Sequence, residues 1–140
     1  MWQKVHPIWF RVWINKSRWS ERFAKNKSQV KDFFVEDVKV RSFVENYYKR
    51  SWISKIVIRK THKDIEIIIF TAKVWLIMWK NWEKIKTFEK KLASKFNKTF
   101  KVSVKSVKNP EISAKIMAEY IAAQIEARMP FRKVCKSVVK

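Results

Sequence analysis

The chain has 140 residues, of which 33 are Lys or Arg and 12 are Asp or Glu, and its formal charge at pH 7 is +21. That length suits a single domain, and a hydrophobic content of 47% supplies a core and excludes a wholly disordered chain. The positive charge favours a polyanionic partner, most often nucleic acid; the single cysteine excludes an intrachain disulfide, and no apolar run is long enough to span a bilayer.

Residues 1–27 have neither a helical nor an alternating hydrophobic period, and they are rich in Lys, Arg, Ser and Trp. We predict an extended basic arm over 1–27, because irregular basic segments often order only on phosphate. A helical pattern follows over 28–50, with apolar residues on one face before Asp37 and on another face after it. Because Asp is a frequent N-cap residue, we predict that Asp37 begins a second helix and bends the segment.

Two strands come next in the hydrophobic pattern. Ile56 and Ile58 alternate with polar residues, a second alternating run covers 64–71, and the connection 61–64 predicts a hairpin turn. The second strand also carries Ile68 on its other face, so we predict that it is central and covered on both sides.

The second half of the chain combines helical patterns with one further strand. In chain order these are a helical turn over 73–78, a loop over 79–82, a helix over 83–96, a strand over 100–104, a helix over 111–128 and the start of a basic helix after Pro130. The whole order predicts an α+β fold, in which helices cover one face of a three-stranded mixed sheet.

The loop between the two central helical patterns carries a motif. Residues 77–85 read IMWKNWEKI, which resembles I-[IV]-G-K-x-G-x-x-I, the signature of the KH domain, with tryptophan in place of both glycines. In that family the Gly-x-x-Gly turn lets the backbone approach a phosphate, and the amides of the following helix point toward it. The resemblance implies a type II KH domain over 28–128, with a core of about 39–108, and an RNA-binding loop formed by Trp79, Lys80, Asn81 and Trp82.

A second resemblance covers all 140 residues. The opening MWQKVHPIWFRVWI resembles M-G-Q-K-V-H-P-x-G-x-R-[LV]-G-I, the start of the bacterial S-three family of small-subunit ribosomal proteins, and residues 70–76, FTAKVWL, are similar to its H-T-A-R-P-G-x. Residues 108–111 and the stretch up to Phe131 and Arg132 resemble the end of its KH domain. Members of that family continue into a further α/β domain, so we expect 129–140 to be the start of a basic exit helix whose C-terminal domain is missing.

The family resemblance implies a structural constituent of the head of the small ribosomal subunit, in the cytoplasm. Its implied partners are ribosomal RNA, messenger RNA and neighbouring small-subunit ribosomal proteins, with no membrane and no small-molecule substrate. The residues that match the family's messenger entrance are Arg132, Lys133 and Lys136. The predicted ribosomal RNA contacts outside the KH module are the arm residues Lys4, Arg11, Lys16, Arg18 and Arg22.

An enzyme and a free-standing RNA-binding protein are the two alternatives to a ribosomal protein. An enzyme is not expected, because the sequence offers no Ser-His-Asp or Cys-His arrangement, no nucleotide-binding glycine loop and no carboxylate cluster, and we predict neither a cofactor nor a metal. A free-standing KH-type protein of RNA maturation or regulation is the alternative; the N-terminal motif favours the ribosomal family.

Glycine is absent from the chain, although about 7% would be usual, and eight residues are tryptophan. Some bacteria read the UGA codon as glycine, whereas a common alternative code reads it as tryptophan. We infer that glycines have been translated as tryptophans; the alternative is a diverged or engineered variant with genuine tryptophans. Seven of the eight tryptophans stand where the family has glycine, namely Trp2, Trp9, Trp13, Trp52, Trp75, Trp79 and Trp82.

The recoding hypothesis predicts the coding sequence directly. If these seven residues are glycines in the cell, each of their codons is UGA, and nucleotide sequencing of the gene checks this. UGG codons at these positions would end the hypothesis.

Overall fold

The computed structural model describes residues 3–12, 14–24, 26–49, 51–61, 64–78 and 83–139. These residues form an α+β fold, as the sequence predicted. In chain order its elements are α1 (Pro7–Arg11), β1 (Ser20–Arg22), α2 (Lys27–Tyr47), β2 (Ile53–Lys60), β3 (Ile65–Thr71), α3 (Val74–Met78), α4 (Glu83–Phe96), β4 (Phe100–Ser106), a 3₁₀ turn (Pro110–Ile112), α5 (Ala114–Glu126) and α6 (Phe131–Val139). The order from α2 to β4 is that of a type II KH domain.

The described strands form one mixed sheet in the order β1-β2-β3-β4. Strands β2 and β3 are antiparallel, and β1 and β4 each pair in parallel with their neighbours. The predicted hairpin is confirmed by this pairing, and the Thr61 amide donates to the Asp64 carbonyl at 3.0 Å where it closes. Strand β3 lies between two others, as predicted, and β1 adds a fourth strand to the three that the sequence indicated.

The main core lies between one face of the sheet and helices α2 and α4. Ile58 of β2 pairs with Ile67 of β3, and both are fully buried. Phe88 of α4 fills the centre of this layer, with its ring 5.9 Å from that of Phe43 on α2. Each such side chain contributes about 1.5–3 kcal/mol through burial alone, so this layer fixes α4 against the sheet.

The opposite face of the sheet is covered in part by α5. Val57 and Ile68 pair across β2 and β3 and are buried there, which agrees with the prediction that β3 is covered on both sides. Helix α5 contacts β2, and Ser54 shares a hydrogen bond of 2.9 Å with Ser113 just before α5.

The extended arm predicted for 1–27 is not confirmed. His6 caps α1 by accepting the Trp9 amide at its Nδ1, 3.4 Å away, and Pro7 supplies a backbone angle suited to the first turn. Residues 20–22 then pair with β2 as strand β1. Both elements are too short to produce a periodic hydrophobic pattern, which is why the sequence did not reveal them.

The bend predicted at Asp37 is wrong, because α2 runs without interruption from Lys27 to Tyr47. Asp37 lies in the middle of this helix and is 1% exposed. Its carboxylate accepts a hydrogen bond of 2.7 Å from Arg22 Nε at the end of β1 and lies 2.7 Å from Lys60 Nζ at the end of β2. The side chain therefore joins α2 to two strands instead of capping a helix.

A second carboxylate completes this buried ionic cluster. Glu36 accepts hydrogen bonds from Lys60, which is only 4% exposed, and from Lys98 after α4, at 2.8 and 2.7 Å. Burial alone would raise the pKa of Glu36, but the hydrogen bonds and charges of Lys60 and Lys98 outweigh it and hold that pKa below its ordinary value. The stability that Glu36 contributes is therefore present above the ordinary glutamate pKa and is lost as the pH falls through the lowered one.

Arg41, one helical turn after Asp37 on α2, also binds the N-terminal strand β1. Its guanidinium donates to the carbonyl oxygens of Trp19 and Ile56, at 2.7 and 2.5 Å, and to Ser20 Oγ at 2.8 Å. Burial lowers the pKa of Arg41, and the negative charge of Asp37 opposes that shift. The group remains charged at neutral pH, since arginine starts from so high a value.

The tryptophans at family-glycine positions differ in backbone conformation. Trp52, before β2, has a φ of 51°, in the left-handed region that glycine enters without steric cost. Trp9 and Trp75 lie within α1 and α3 instead. Lys73 Nζ lies over the Trp52 ring, 3.4 Å from the ring centroid. The centroid of the Tyr120 ring lies 5.7 Å from that of Trp52.

The conformation of Trp52 predicts how substitutions there change the free energy of unfolding. Trp52→Gly and Trp52→Ala both lose the ring contacts, but only glycine escapes the clash of a Cβ in this region, so the glycine variant should be more stable by about 1 kcal/mol. At Trp75, which lies in a helix, the alanine variant should instead be more stable than the glycine variant by about 1 kcal/mol, because glycine weakens helices. Urea unfolding of the four variants checks both; an alanine variant at 52 as stable as the glycine variant would contradict a left-handed requirement.

The buried ionic cluster predicts a large effect of Asp37→Asn. Removing this charge leaves Lys60 buried with one carboxylate fewer, and breaking a buried pair costs about 3–5 kcal/mol of unfolding free energy. Glu45→Gln is the control, because it breaks an exposed pair with Lys115 and should cost less than about 1 kcal/mol. Urea unfolding measures both, and hydrogen exchange at the Ile58 amide, which bonds to Trp19, reports release of β1. Equal losses of unfolding free energy in the two variants would show that the buried cluster stabilises the fold no more than an exposed ion pair does.

Candidate nucleic-acid interface

The predicted KH loop, Trp79 to Trp82, lies outside the described residues. Its two flanks are described: α3 ends at Met78 and α4 begins at Glu83. Ile77 and Ile85, near the two helix ends, are both buried in the main core. The core therefore holds both ends of the predicted loop in place.

A row of exposed lysines follows the loop on α4. Lys91 Nζ lies 5.1 Å from the centre of the Tyr47 ring and Lys95 Nζ 4.5 Å from that of Phe43, so their stems cover apolar surface while their charges face water. The sequence showed these lysines off the apolar stripe, but they were not predicted as RNA contacts. The exposed set is Lys84, Lys86, Lys90, Lys91 and Lys95.

The five basic residues predicted in the N-terminal arm fall into two groups. Lys4, Arg11, Lys16 and Arg18 are exposed, and Arg11 donates to the Pro7 carbonyl at 3.3 Å. Arg22 is only part-exposed and is bound to Asp37, with its guanidinium 5.2 Å from the centre of the Phe34 ring. The positive charge of Arg22 is therefore neutralised by Asp37, and this pair holds β1 against α2. Its position gives no indication of the predicted contact with RNA.

The residues predicted to begin the basic exit helix lie in helix α6. Val134 is buried and anchors the helix, whereas Arg132, Lys133 and Lys136 are all exposed. The Arg132 guanidinium lies 5.8 Å from the centre of the neighbouring Phe131 ring. This helix thus presents three cations to solvent from a fixed backbone.

Two negative findings apply to the described part of the chain. No three His, Cys, Asp or Glu side chains within it come together in a way that could hold a metal ion. None of its helices has the length and apolar character required to cross a membrane.

Comparison with known proteins finds relatives along the whole chain. Over its 140 residues it is 33% identical to small ribosomal subunit protein uS3 of Cereibacter sphaeroides (strain ATCC 17025 / ATH 2.4.3), of which it covers 58%. It is 34% identical to the protein of the same name from Sulfurovum sp. (strain NBC37-1), covering 60%, and 32% identical to that of Paracidovorax citrulli (strain AAC00-1), covering 47%. The chain therefore spans about half to three fifths of the length of these relatives. No family model matches it.

Proposed function

Because the chain belongs to the uS3 family of small ribosomal subunit proteins, we propose that it is a structural component of that subunit, in its head, and acts in the cytoplasm as part of the ribosome. The observation that carries this proposal is the identity of 33% over all 140 residues, which includes the N-terminal segment before the KH-type fold. A resemblance confined to the KH motif would fit many RNA-binding proteins. The role is that of a scaffold and not of an enzyme.

Ribosomal RNA is the proposed main partner, and the distribution of charge supports this. Several acidic side chains on the described surface are paired with cations, as in Arg59 with Glu21 and Lys101 with Asp64, at 3.1 Å each. The chain has 33 Lys or Arg residues and only 12 Asp or Glu residues, so its own carboxylates are too few to neutralise its cations. Phosphate contacts of this kind provide affinity and orientation without sequence specificity.

The KH loop would add a backbone contact to this electrostatic surface. Because both of its ends are held by the core, a loop with glycine at 79 and 82 would present its amides and Lys80 to a phosphate at little entropic cost. An indole at either position would keep the backbone away from the ligand. The loop therefore fits RNA better with glycine than with tryptophan.

Helix α6 is the proposed contact with messenger RNA. Arg132, Lys133 and Lys136 match the family's basic exit helix, and all three face solvent. Their guanidinium and ammonium groups can hold the phosphates of a passing strand without reading its bases. Neighbouring small-subunit proteins are further proposed partners, because the exposed apolar residues of α2, such as Phe34 and Val38, favour protein contacts.

The ribosomal function and the role of α6 can be tested together. Small subunits that lack uS3 are supplied with the chain, followed by sedimentation and by measurement of the rate at which structured messenger RNA is unwound. The variant Arg132→Ala, Lys133→Ala, Lys136→Ala should sediment with the subunit but unwind messenger several-fold more slowly. The variant Lys27→Ala, Lys31→Ala, Lys39→Ala removes the same charge from exposed positions on α2 and is the control.

Each outcome of this experiment separates two proposals. Failure of the unaltered chain to sediment with the subunit, while it still binds free RNA, would favour the free-standing KH protein. Loss of sedimentation in the α6 variant alone would assign those residues to assembly instead of the messenger entrance.

A further inference from the structure

The described N-terminal segment and helix α2 enclose a groove of about 830 Å³. This volume is within the range of about 300–1,000 Å³ that is usual for small-ligand sites. Its apolar lining residues include Ile8, Trp9, Trp19 and Val30, and its basic lining residues are Arg18, Arg22 and Arg41. None of the described residues that line it is acidic.

Trp19 combines an exposed side chain with a fixed backbone. The residue is 52% exposed, so its indole is open to a ligand. Its carbonyl oxygen accepts hydrogen bonds from the Ile58 amide at 3.0 Å and from Arg41 Nη2 at 2.7 Å. A ligand that stacks on this ring would therefore not have to order the main chain first, which removes part of the cost of binding.

Charge distinguishes this groove from two other grooves of similar volume. The groove between the end of α2 and α5 is lined by three carboxylates and three lysines, namely Glu45, Glu119, Glu126, Lys49, Lys73 and Lys115. The groove along α2 and α4 is lined by Asp32 and Glu36 and by Lys39 and Lys95. Opposite charges balance in these two grooves, whereas the described residues around Trp19 include arginines and no acidic residue, so a phosphate is attracted there more strongly. An aromatic platform beside cations and away from carboxylates suits a nucleotide.

We propose that this groove binds one unpaired nucleotide of RNA, with its base stacked on the indole of Trp19 and its phosphate toward the arginine-lined side of the groove. The inference rests on the proposed RNA binding and adds a site and a ligand class to it. Trp19 is not among the seven tryptophans that match family glycines, but Trp9, which also lines the groove, is one of them, so the shape of the groove depends on the recoding hypothesis at that position. Arg41 acts here as a positioning residue, since it holds the carbonyl of Trp19.

The test measures the affinity of the chain for a single-stranded RNA decamer and for the same decamer with all bases removed, over a range of salt concentrations. Trp19→Ala should weaken binding of the decamer roughly 5- to 150-fold, the usual effect of losing one stacked base. Trp19→Phe should keep most of the affinity, because a phenyl ring also stacks. Phe23→Ala, an exposed aromatic residue next to β1 that does not line the groove, is the matched control and should bind as the unaltered chain does.

Two further readouts separate the groove from the general RNA surface. The baseless decamer should bind the unaltered chain and Trp19→Ala equally, since only the stacking contact distinguishes them. The slope of log affinity against log salt concentration should be the same in both proteins, at about −0.7 for each phosphate neutralised, because the substitution removes no charge. Circular dichroism confirms that the variants are folded.

Three results would overturn the proposal. Equal decamer affinity of Trp19→Ala and the unaltered chain would remove the stacking site, while steep salt dependence would leave the proposed RNA binding intact. Absence of salt-dependent binding by the unaltered chain would remove the proposed function as well. Unchanged RNA affinity of Trp19→Ala combined with loss of sedimentation with the small subunit would assign the groove to a protein segment.

Discussion

The buried carboxylate of Asp37 is the interaction on which the placement of the N-terminal segment depends. A charge at 1% exposure is tolerated only when partners neutralise it, and here both partners come from strand ends. Arg22 at the end of β1 and Lys60 at the end of β2 both contact this carboxylate, so the cluster ties α2 to both strands. The cluster thus specifies where the chain before α2 lies, which hydrophobic packing alone would leave open.

This arrangement links the fold to the proposed RNA surface. Once β1 is fixed, the Trp19 ring and the basic residues around it acquire a defined position relative to the sheet. The same cluster uses acidic side chains internally, since Glu36 and Asp37 hold Lys60 and Lys98 as well as Arg22. Because 33 Lys or Arg residues face only 12 Asp or Glu residues, most cations of the chain have no carboxylate of the chain to neutralise them, and an RNA phosphate backbone can do so.

Periodic segments of this fold could be predicted from the sequence, and segments organised by long-range contacts could not. The helix Glu83–Phe96 has the predicted bounds because one apolar stripe defines it, and the family resemblance is confirmed by the relatives found along the whole chain. Asp37 was misread because its partners are 15 and 23 residues away in sequence, at Arg22 and Lys60. The structural role of Arg41 was not predicted for the same reason, because its partners are at positions 19, 20 and 56. In the sequence it is only one charged residue next to an apolar one, Val40. Of the predicted interface, the exit-helix cations proved exposed, whereas Arg22 did not prove available.

The tryptophans place different demands on the fold and on its surface. At Trp52 the backbone itself is left-handed, so a side chain there opposes folding, although the cation–π contact with Lys73 and the edge-to-face contact with Tyr120 offset part of that cost. Trp9 and Trp75 lie in helices and are 74% and 55% exposed, so their rings neither strain the backbone nor fill the core. Glycine at these two positions would give smaller, flatter surface instead of relieving strain. Backbone strain therefore explains a preference for glycine at position 52 but not at positions 9 and 75.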